Sequence, residues 1–244
     1  DCLLSRGLGD VYKRQVVSHD MYLGILFLTL VPSTVQSSAA FTSIAKGNVA
    51  GAIISASTSN LVGVIVTPLL VMLLMGTGGG IHIDTSVFGE IVLLLLAPFV
   101  LGQLTRRWIG RIAQSKATKV VDRGSIAMVV YSAFSKGIVD GIWASISMWE
   151  LPFLVGFAAA FVAFMLWLTK KVSQKLGFSR ADIIAIEFCG SKKSLATGLP
   201  MASVIFTSDG APLGLLVLPL MIYHQVQLMM CSWLAARYAQ HSTP

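Results

Sequence analysis

Charge is scarce in this chain. Charged residues make up 12% of its 244 residues and hydrophobic residues 55%, whereas a soluble domain carries about twice that share of charge. The three cysteines do not make a disulfide framework. Enzyme signatures are missing too, because there is no HExxH, no GxSxG and no Cys/His metal spacing. We therefore expect a membrane protein that is not an enzyme, in which the net charge of +7 reflects topology and not a nucleic-acid partner.

The first residues, DCLLSRGLGDVYKRQ, differ from the rest of the chain. They contain no initiating Met and no apolar run of signal-peptide or membrane length. They resemble a sequencing adapter translated as protein, and we expect residues 1–15 to be a non-native leader. Residues 16–244 would then form one transmembrane domain that is present only in part.

Long apolar stretches predict an all-α polytopic membrane protein. Seven spans are expected: Met21–Ala45, Val49–Met75, Val87–Leu104, Ser125–Ile146, Leu151–Leu168, Ala181–Phe206 and Pro212–Tyr238. Lys and Arg occur in every second connection and at the C-terminus, whereas the intervening connections 76–86, 147–150 and 207–211 contain none. This alternation places the basic loops and the C-terminus in the cytoplasm.

Polar residues interrupt two of these spans. In the first span Pro32 removes a backbone donor and disfavours helix at the residue before it. The polar side chains that follow it are Ser33, Thr34, Gln36, Ser37 and Ser38. In the sixth span Gly190 precedes the polar residues S-K-K-S, 191–194. Irregular backbone at membrane depth is tolerated where it is buried or lines a cavity, and paired interruptions indicate a midplane binding site. The alternative is a pair of kinked helices that only pack against their neighbours.

Three charged residues lie in the sixth span. A charge at mid-bilayer costs roughly 2.5–3.5 kcal/mol, so Glu187, Lys192 and Lys193 need partners or a function. If the helix opens between them, its carbonyls and the carboxylate could bind a cation. The lysines and the start of the second half-helix would attract an anion, with Ser191 close by. The alternative is that the lysines extend to the cytoplasmic interface.

Other spans carry weaker signals. Small residues recur every four positions near and in the second span: Gly47, Gly51, Ser55, Ser59, Gly63 and Thr67. This spacing favours close helix packing, although Ser59 and Asn60 could also face the outer part of a site. Lys136 and Asp140 are four residues apart in the fourth span and could neutralise each other, either at a cavity or as a structural pair.

Three motifs carry a family resemblance: V-P-S-T-V-Q-S-S (31–38), T-P-L-L (67–70) and I-E-F-C-G-S-K-K-S (186–194). With them the chain resembles the bile acid:sodium symporter superfamily, in its bacterial symporter-like branch, over about residues 20–240. The resemblance implies a ten-helix fold of two inverted repeats, of which the seven spans would be helices 4–10, with two broken helices that cross. It implies a secondary transporter of a small organic anion that works by alternating access in the bacterial inner membrane. It leaves the substrate and the oligomeric state open.

The resemblance also implies sodium sites, with ligands at Ser38 and Glu187. The family's other oxygen ligands are replaced at five positions: Ala39, Ala52, Ala56, Ser191 and Lys192. We therefore expect an ammonium group of Lys192 or Lys193 to stand in place of sodium, paired with Glu187, and no cofactor beyond a coupling ion. Sodium coupling is then doubtful, and transport would be coupled to protons or uncoupled. A rival from another class is a non-transporting membrane scaffold or regulator in which the breaks are structural.

Overall fold

The computed structural model describes residues 18–78, 115–139, 148–206 and 213–240, together with Gly141 and scattered positions between 93 and 108. Over these ranges the regular elements are eight α-helices: α1 His19–Leu30, α2 Val35–Ile44, α3 Val49–Gly78, α4 Lys116–Val139, α5 Glu150–Lys175, α6 Arg180–Gly190, α7 Leu195–Phe206 and α8 Leu213–Gln240. The predicted all-α class is confirmed.

Among the described residues, α3, α5 and α8 are long and apolar enough to cross a membrane. The pair α1 and α2 makes a fourth candidate span, bent by 62° at its break. The sixth predicted span is divided into α6 and α7, of 11 and 12 residues, which are each too short to cross alone.

Two predicted spans have less support. Most of the third, 87–104, lies outside the described residues, and α4 begins at Lys116, ahead of the expected Ser125, and is not among the candidate spans. The structure thus supports a multi-pass helical protein with three to four spans in its described part. The seven spans and the ten-helix inverted repeat stay a prediction.

The packed core surrounds α8, which contacts α1, α5 and α7. Leu216, Leu220 and Tyr223 of α8 are buried there with Phe27 of α1. The Phe27 ring meets Phe206 of α7 edge-on, with 5.4 Å between ring centroids. The short helices α1 and α7 are therefore fixed by packing against one long, buried helix, which holds both breaks inside the protein.

Small residues of α3 allow it to approach the first break closely. A Cβ added at Gly63 would lie 2.7 Å from the Pro32 Cβ, which is closer than two carbon atoms can pack. On the same stripe the Thr67 hydroxyl donates a hydrogen bond to the Leu30 carbonyl (2.9 Å), and Ser59 Oγ accepts one from the Ser33 amide (3.2 Å). The expected packing role of the stripe is confirmed at these positions.

Candidate functional site

The two breaks, residues 31–34 and 191–194, contact each other directly. The Ser194 amide donates a hydrogen bond to the Pro32 carbonyl (2.8 Å). The Ser33 hydroxyl donates another to the Cys189 carbonyl at the end of α6 (2.7 Å). The Ser194 amide and the two carbonyls are backbone groups that a continuous helix would have used internally. The two broken segments therefore meet at their breaks, and we call this place of contact the crossing.

Side chains from other helices bind the carbonyls that the first break frees. The Lys193 ammonium, from the second break, donates to the carbonyls of Thr29 (2.6 Å) and Val31 (3.0 Å). Two further carbonyls accept hydrogen bonds from α3: Leu30 from Thr67 (2.9 Å) and Ser33 from Asn60 (2.6 Å). Buried carbonyls without donors are costly, so Lys193 caps the C-terminal end of α1.

The second break is held by α8. The Tyr223 hydroxyl donates to the Ser191 carbonyl (2.7 Å). The Gln227 side-chain amide accepts from the Lys193 backbone amide and donates to the Lys193 carbonyl, both at 2.8 Å. The Gln227 nitrogen also lies 2.9 Å from Nδ1 of His224. This reciprocal pair fixes the opening of the helix at one residue, and nothing in the local sequence around Lys193 indicates it.

Lys192 is the buried cation of the crossing. Its side chain is 1% exposed, and its Nζ donates to the Ser37 carbonyl in the first turn of α2 (3.1 Å). The same Nζ lies 3.7 Å from the centroid of the Phe41 ring and 5.6 Å from that of Phe188. Aromatic faces attract a desolvated ammonium. A fixed positive charge therefore sits between α2 and α6, one residue away from the lysine that caps α1.

Three hydroxyl groups of α2 are buried without a hydrogen-bond partner. Three buried side-chain oxygens of the described residues accept or donate no hydrogen bond: those of Ser37, Ser38 and Thr42. Ser38 and Thr42 are 0% exposed and share a face of α2 because they are four residues apart. Such orphaned groups require an explanation, for example an ordered water or an ion. The face of α2 that carries Ser38 and Thr42 therefore has buried polar groups that no other group in the described part of the protein satisfies.

Glu187 does not face the lysines. Its side chain is 3% exposed, and its Oε2 accepts a hydrogen bond from the Tyr238 hydroxyl of α8 (2.8 Å). That hydroxyl in turn accepts one from the Lys170 ammonium of α5 (2.7 Å). The sequence suggested a pair between Glu187 and Lys192 or Lys193, and the structure differs. The reason is that α8 places the Tyr238 hydroxyl on the carboxylate, so the opening of the helix after Gly190 brings neither lysine to Glu187.

Few oxygen ligands are present at the positions that the resemblance implies for sodium. Ser38 retains a buried hydroxyl, whereas Glu187 is turned to Tyr238. Ala52 and Ala56, which stand where the family has ligands, are fully buried and carry no side-chain oxygen. Because sodium needs several hard oxygen ligands, these residues do not fit it.

The remaining predicted residues lie in different places. Thr34 precedes α2 and is half-buried, whereas Gln36 is exposed. The Ser191 hydroxyl donates to the Glu187 carbonyl within its own helix turn (2.8 Å). Asp140 and the side chain of Lys136 lie outside the described residues. The sequence analysis missed four residues that hold the site together: Lys170, Thr197, Tyr223 and Tyr238. The only sign of these residues in the sequence was a polar group on a side chain in or beside an otherwise apolar span.

A cavity of about 470 Å³ adjoins the crossing. Its polar lining comes from α3 and from the first turn of α7: Ser57, Thr58, Asn60 and Thr197. Asn60 joins the cavity to the breaks, because its Oδ1 accepts a hydrogen bond from Thr197 (2.9 Å) and its Nδ2 binds the Ser33 carbonyl. Val35, the first residue of α2, also lines it. The cavity therefore lies at the N-terminal ends of both second half-helices.

Apolar spans combined with two broken helices that cross inside the protein define a multi-pass membrane protein of the transporter class. The chain matches the SBF-like CPA transporter family over residues 6–240, and it belongs to that family. The match begins within the leader expected at residues 1–15, and the adapter origin of that leader stays a prediction.

Relatives of known name agree with this class. An uncharacterized protein of Pseudomonas aeruginosa is 50% identical over 92% of this chain and 68% of its own length. YfeH of Escherichia coli, named as a candidate symporter, is 46% identical over 91% of this chain and 67% of its own length. The sodium/bile acid cotransporter 7 of Xenopus tropicalis is 30% identical over 86% of this chain. The chain spans 61% of the length of that cotransporter.

Proposed function

We propose that the protein is a secondary active transporter of a small organic anion, in which the Lys192 ammonium stands where sodium would bind. The observation that carries this proposal is the burial of that ammonium at the crossing, with Nζ 3.1 Å from the Ser37 carbonyl. Broken helices of secondary transporters bind cations through the carbonyls that the break exposes. An ammonium group supplies the same single charge from inside the chain.

The chemistry around Lys192 suits an ammonium better than a metal ion. The Phe41 ring, 3.7 Å from Nζ, offers a π-face that attracts an organic cation, whereas sodium prefers oxygen ligands. Lys193 supports the same conclusion, because it binds two carbonyls of the other break with its own ammonium group. The carbonyls at the end of α1 are thus bound by a lysine and not by a metal ion.

The 470 Å³ cavity is the proposed substrate site. Its volume lies in the usual range for small-molecule pockets, about 300–1,000 Å³. Its position at the N-terminal ends of α2 and α7 favours a negatively charged group, because helix N-termini carry partial positive charge. Ser57 and Thr58 offer hydroxyl groups as hydrogen-bond donors, and Leu61 and Val64 offer apolar surface. This lining favours an organic anion with one charged end over an inorganic ion.

Uptake into proteoliposomes tests the proposal. Purified protein would be offered labelled taurocholate and a panel of mono- and dicarboxylates, with either sodium or choline as the external cation. We expect uptake of at least one anion that is the same in both salts. Lys192→Met should abolish this uptake while the variant remains folded and monodisperse, and Lys171→Met, on an exposed position of α5, should not. Uptake that strictly requires sodium would refute the role of Lys192.

The rival function is a membrane scaffold or regulator. One observation favours it, namely that each charge at the crossing is engaged within the protein: Glu187 with Tyr238, Lys192 with Ser37, and Lys193 with α1. On this alternative no anion of the panel is taken up, and Lys192→Met lowers stability without any other effect. The uptake assay and the unfolding of the same variant therefore separate the two functions.

A further inference from the structure

A second cavity, of about 580 Å³, lies between α5, α6 and α8, away from the crossing cavity. Its basic lining consists of Lys170, Arg180 and Arg237. These residues lie in the last two turns of α5, at the start of α6 and in the last turn of α8. The basic residues of these connections and of the C-terminus are the ones that the charge alternation places in the cytoplasm. We call this space the basic cavity.

Positive charge exceeds negative charge in the basic cavity. Glu187 is the only acidic residue of its lining, against three cations. The carboxylate of Glu187 is 3% exposed and already accepts the Tyr238 hydroxyl, so it presents little negative charge to the cavity. The excess positive charge therefore lines a space large enough for a small ligand, and this charge attracts anions.

Aliphatic residues also line the basic cavity, namely Ile183, Ile184 and Leu234, together with Gln174 and Tyr238. A cavity lined by both cations and aliphatic side chains suits a molecule with a phosphate group and an apolar part. At the cytoplasmic end of membrane helices, anionic phospholipid headgroups bind basic pockets of this kind. The crossing cavity differs, because Ser, Thr and Asn supply its polar lining.

We propose that the basic cavity binds the phosphate group of an anionic molecule, with Arg180 and Arg237 as its principal ligands and Lys170 behind them. Two sources have this chemistry, an anionic phospholipid of the cytoplasmic leaflet and a free phosphate compound of the cytoplasm. Lys170 links the ligand to the transporter core, because its ammonium also binds the Tyr238 hydroxyl that holds Glu187. A bound phosphate would compete with Tyr238 for that ammonium.

The test measures ligand binding to the purified chain and needs no transport. The protein in neutral detergent would be titrated with phosphatidylglycerol, phosphatidylcholine or inorganic phosphate, and its thermal unfolding and lipid adducts in native mass spectrometry recorded. The test variant is Arg180→Gln combined with Arg237→Gln. The matched control is Lys171→Gln combined with Lys175→Gln, which removes two exposed charges of α5 outside the cavity. The charge-preserving variant Arg180→Lys with Arg237→Lys separates loss of charge from loss of packing.

We expect saturable stabilisation by phosphatidylglycerol but not by phosphatidylcholine. The Gln double variant should bind roughly 10-fold or more weakly, since each basic residue near the surface contributes to anionic lipid attraction, while the Lys double variant retains most binding. Equal stabilisation by inorganic phosphate alone, lost in the same variant, supports the site and identifies the free anion as its source. Equal weakening in the α5 control, or equal binding of phosphatidylcholine, overturns the proposal.

Discussion

Methionine substitution of the adjacent lysines should separate their two roles. Lys192 and Lys193 are neighbours in the second break, yet their ammonium groups lie in different surroundings. Lys192 is 1% exposed and bound to one carbonyl inside α2, whereas Lys193 is half-buried and bound to two carbonyls at the end of α1. Methionine is one atom shorter than lysine, keeps the unbranched apolar stem of each side chain, and removes the charge and its hydrogen bonds.

Lys193→Met should destabilise the protein. The carbonyls of Thr29 and Val31 lose their donor, at roughly 1–3 kcal/mol for each buried acceptor left unsatisfied. The Thr29 bond is exposed, so water replaces the donor there and offsets part of the loss. We expect a net decrease of about 1–3 kcal/mol in the free energy of unfolding.

Lys192→Met should change stability little. It removes a charged hydrogen bond, worth about 1.5–3 kcal/mol, and a cation–π contact, worth about 2 kcal/mol when desolvated. It also removes the cost of burying the charge, which is several kcal/mol per ion. The Ser37 carbonyl lies inside α2 and keeps its place in the helical ladder. These contributions nearly cancel, and we expect a net change below about 1.5 kcal/mol in either direction.

Denaturant unfolding in mixed micelles measures both variants, with Lys171→Met as the control for loss of an exposed charge. The predicted order is a large loss for Lys193→Met and near-native stability for Lys192→Met. The reverse order would show that Lys192 stabilises the crossing and that Lys193 does not. This result would contradict the argument that the buried Lys192 ammonium serves transport and not stability.

Two further predictions concern the neighbours of the crossing. Tyr238→Phe removes the hydroxyl that donates to the buried Glu187 carboxylate and should lower the free energy of unfolding by about 1–3 kcal/mol. The same change at the exposed Tyr131 should be neutral. An equal effect at both positions would contradict the Tyr238–Glu187 bond. Gly63→Ala places a methyl group 2.7 Å from the Pro32 Cβ and should cost about 1–3 kcal/mol. Gly156→Ala, with no atom within 4 Å, should instead stabilise α5 by roughly 0.5–1 kcal/mol, and calorimetry of both variants checks the contrast.

The breaks could be predicted from the sequence because their causes are local. Pro32 cannot donate a hydrogen bond and restricts the residue before it, whatever surrounds it. The polar run after Gly190 likewise stands out against apolar neighbours. The packing face of α3 followed from its four-residue period, which places Ser59, Gly63 and Thr67 on one side of the helix.

The partners of the charged residues could not be predicted, because they depend on where α6 ends and on which helix lies beside it. Glu187 binds Tyr238, which is 51 residues away in the chain. The helix does open between Glu187 and Lys192, after Gly190, yet α8 supplies the partner of the carboxylate and Ser37 of α2 supplies that of the ammonium. The Gln227 bonds to the Lys193 backbone, which fix that opening, span 34 residues. Such contacts are properties of the tertiary structure.

A tethered cation has a consequence for energetics. A sodium gradient drives accumulation only when the ion binds on one side of the membrane and leaves on the other. The Lys192 ammonium is covalently attached, so at its position no sodium crosses and the gradient contributes no free energy to transport. The remaining sources of free energy are the proton gradient, the membrane potential acting on the anion, and the substrate gradient itself.

In proteoliposomes we expect the steady-state accumulation of a transported anion to be unchanged when an inward sodium gradient is imposed, abolished or reversed. An accumulation ratio that follows the sodium gradient would place a mobile sodium ion on the transport path and would contradict the proposed role of Lys192.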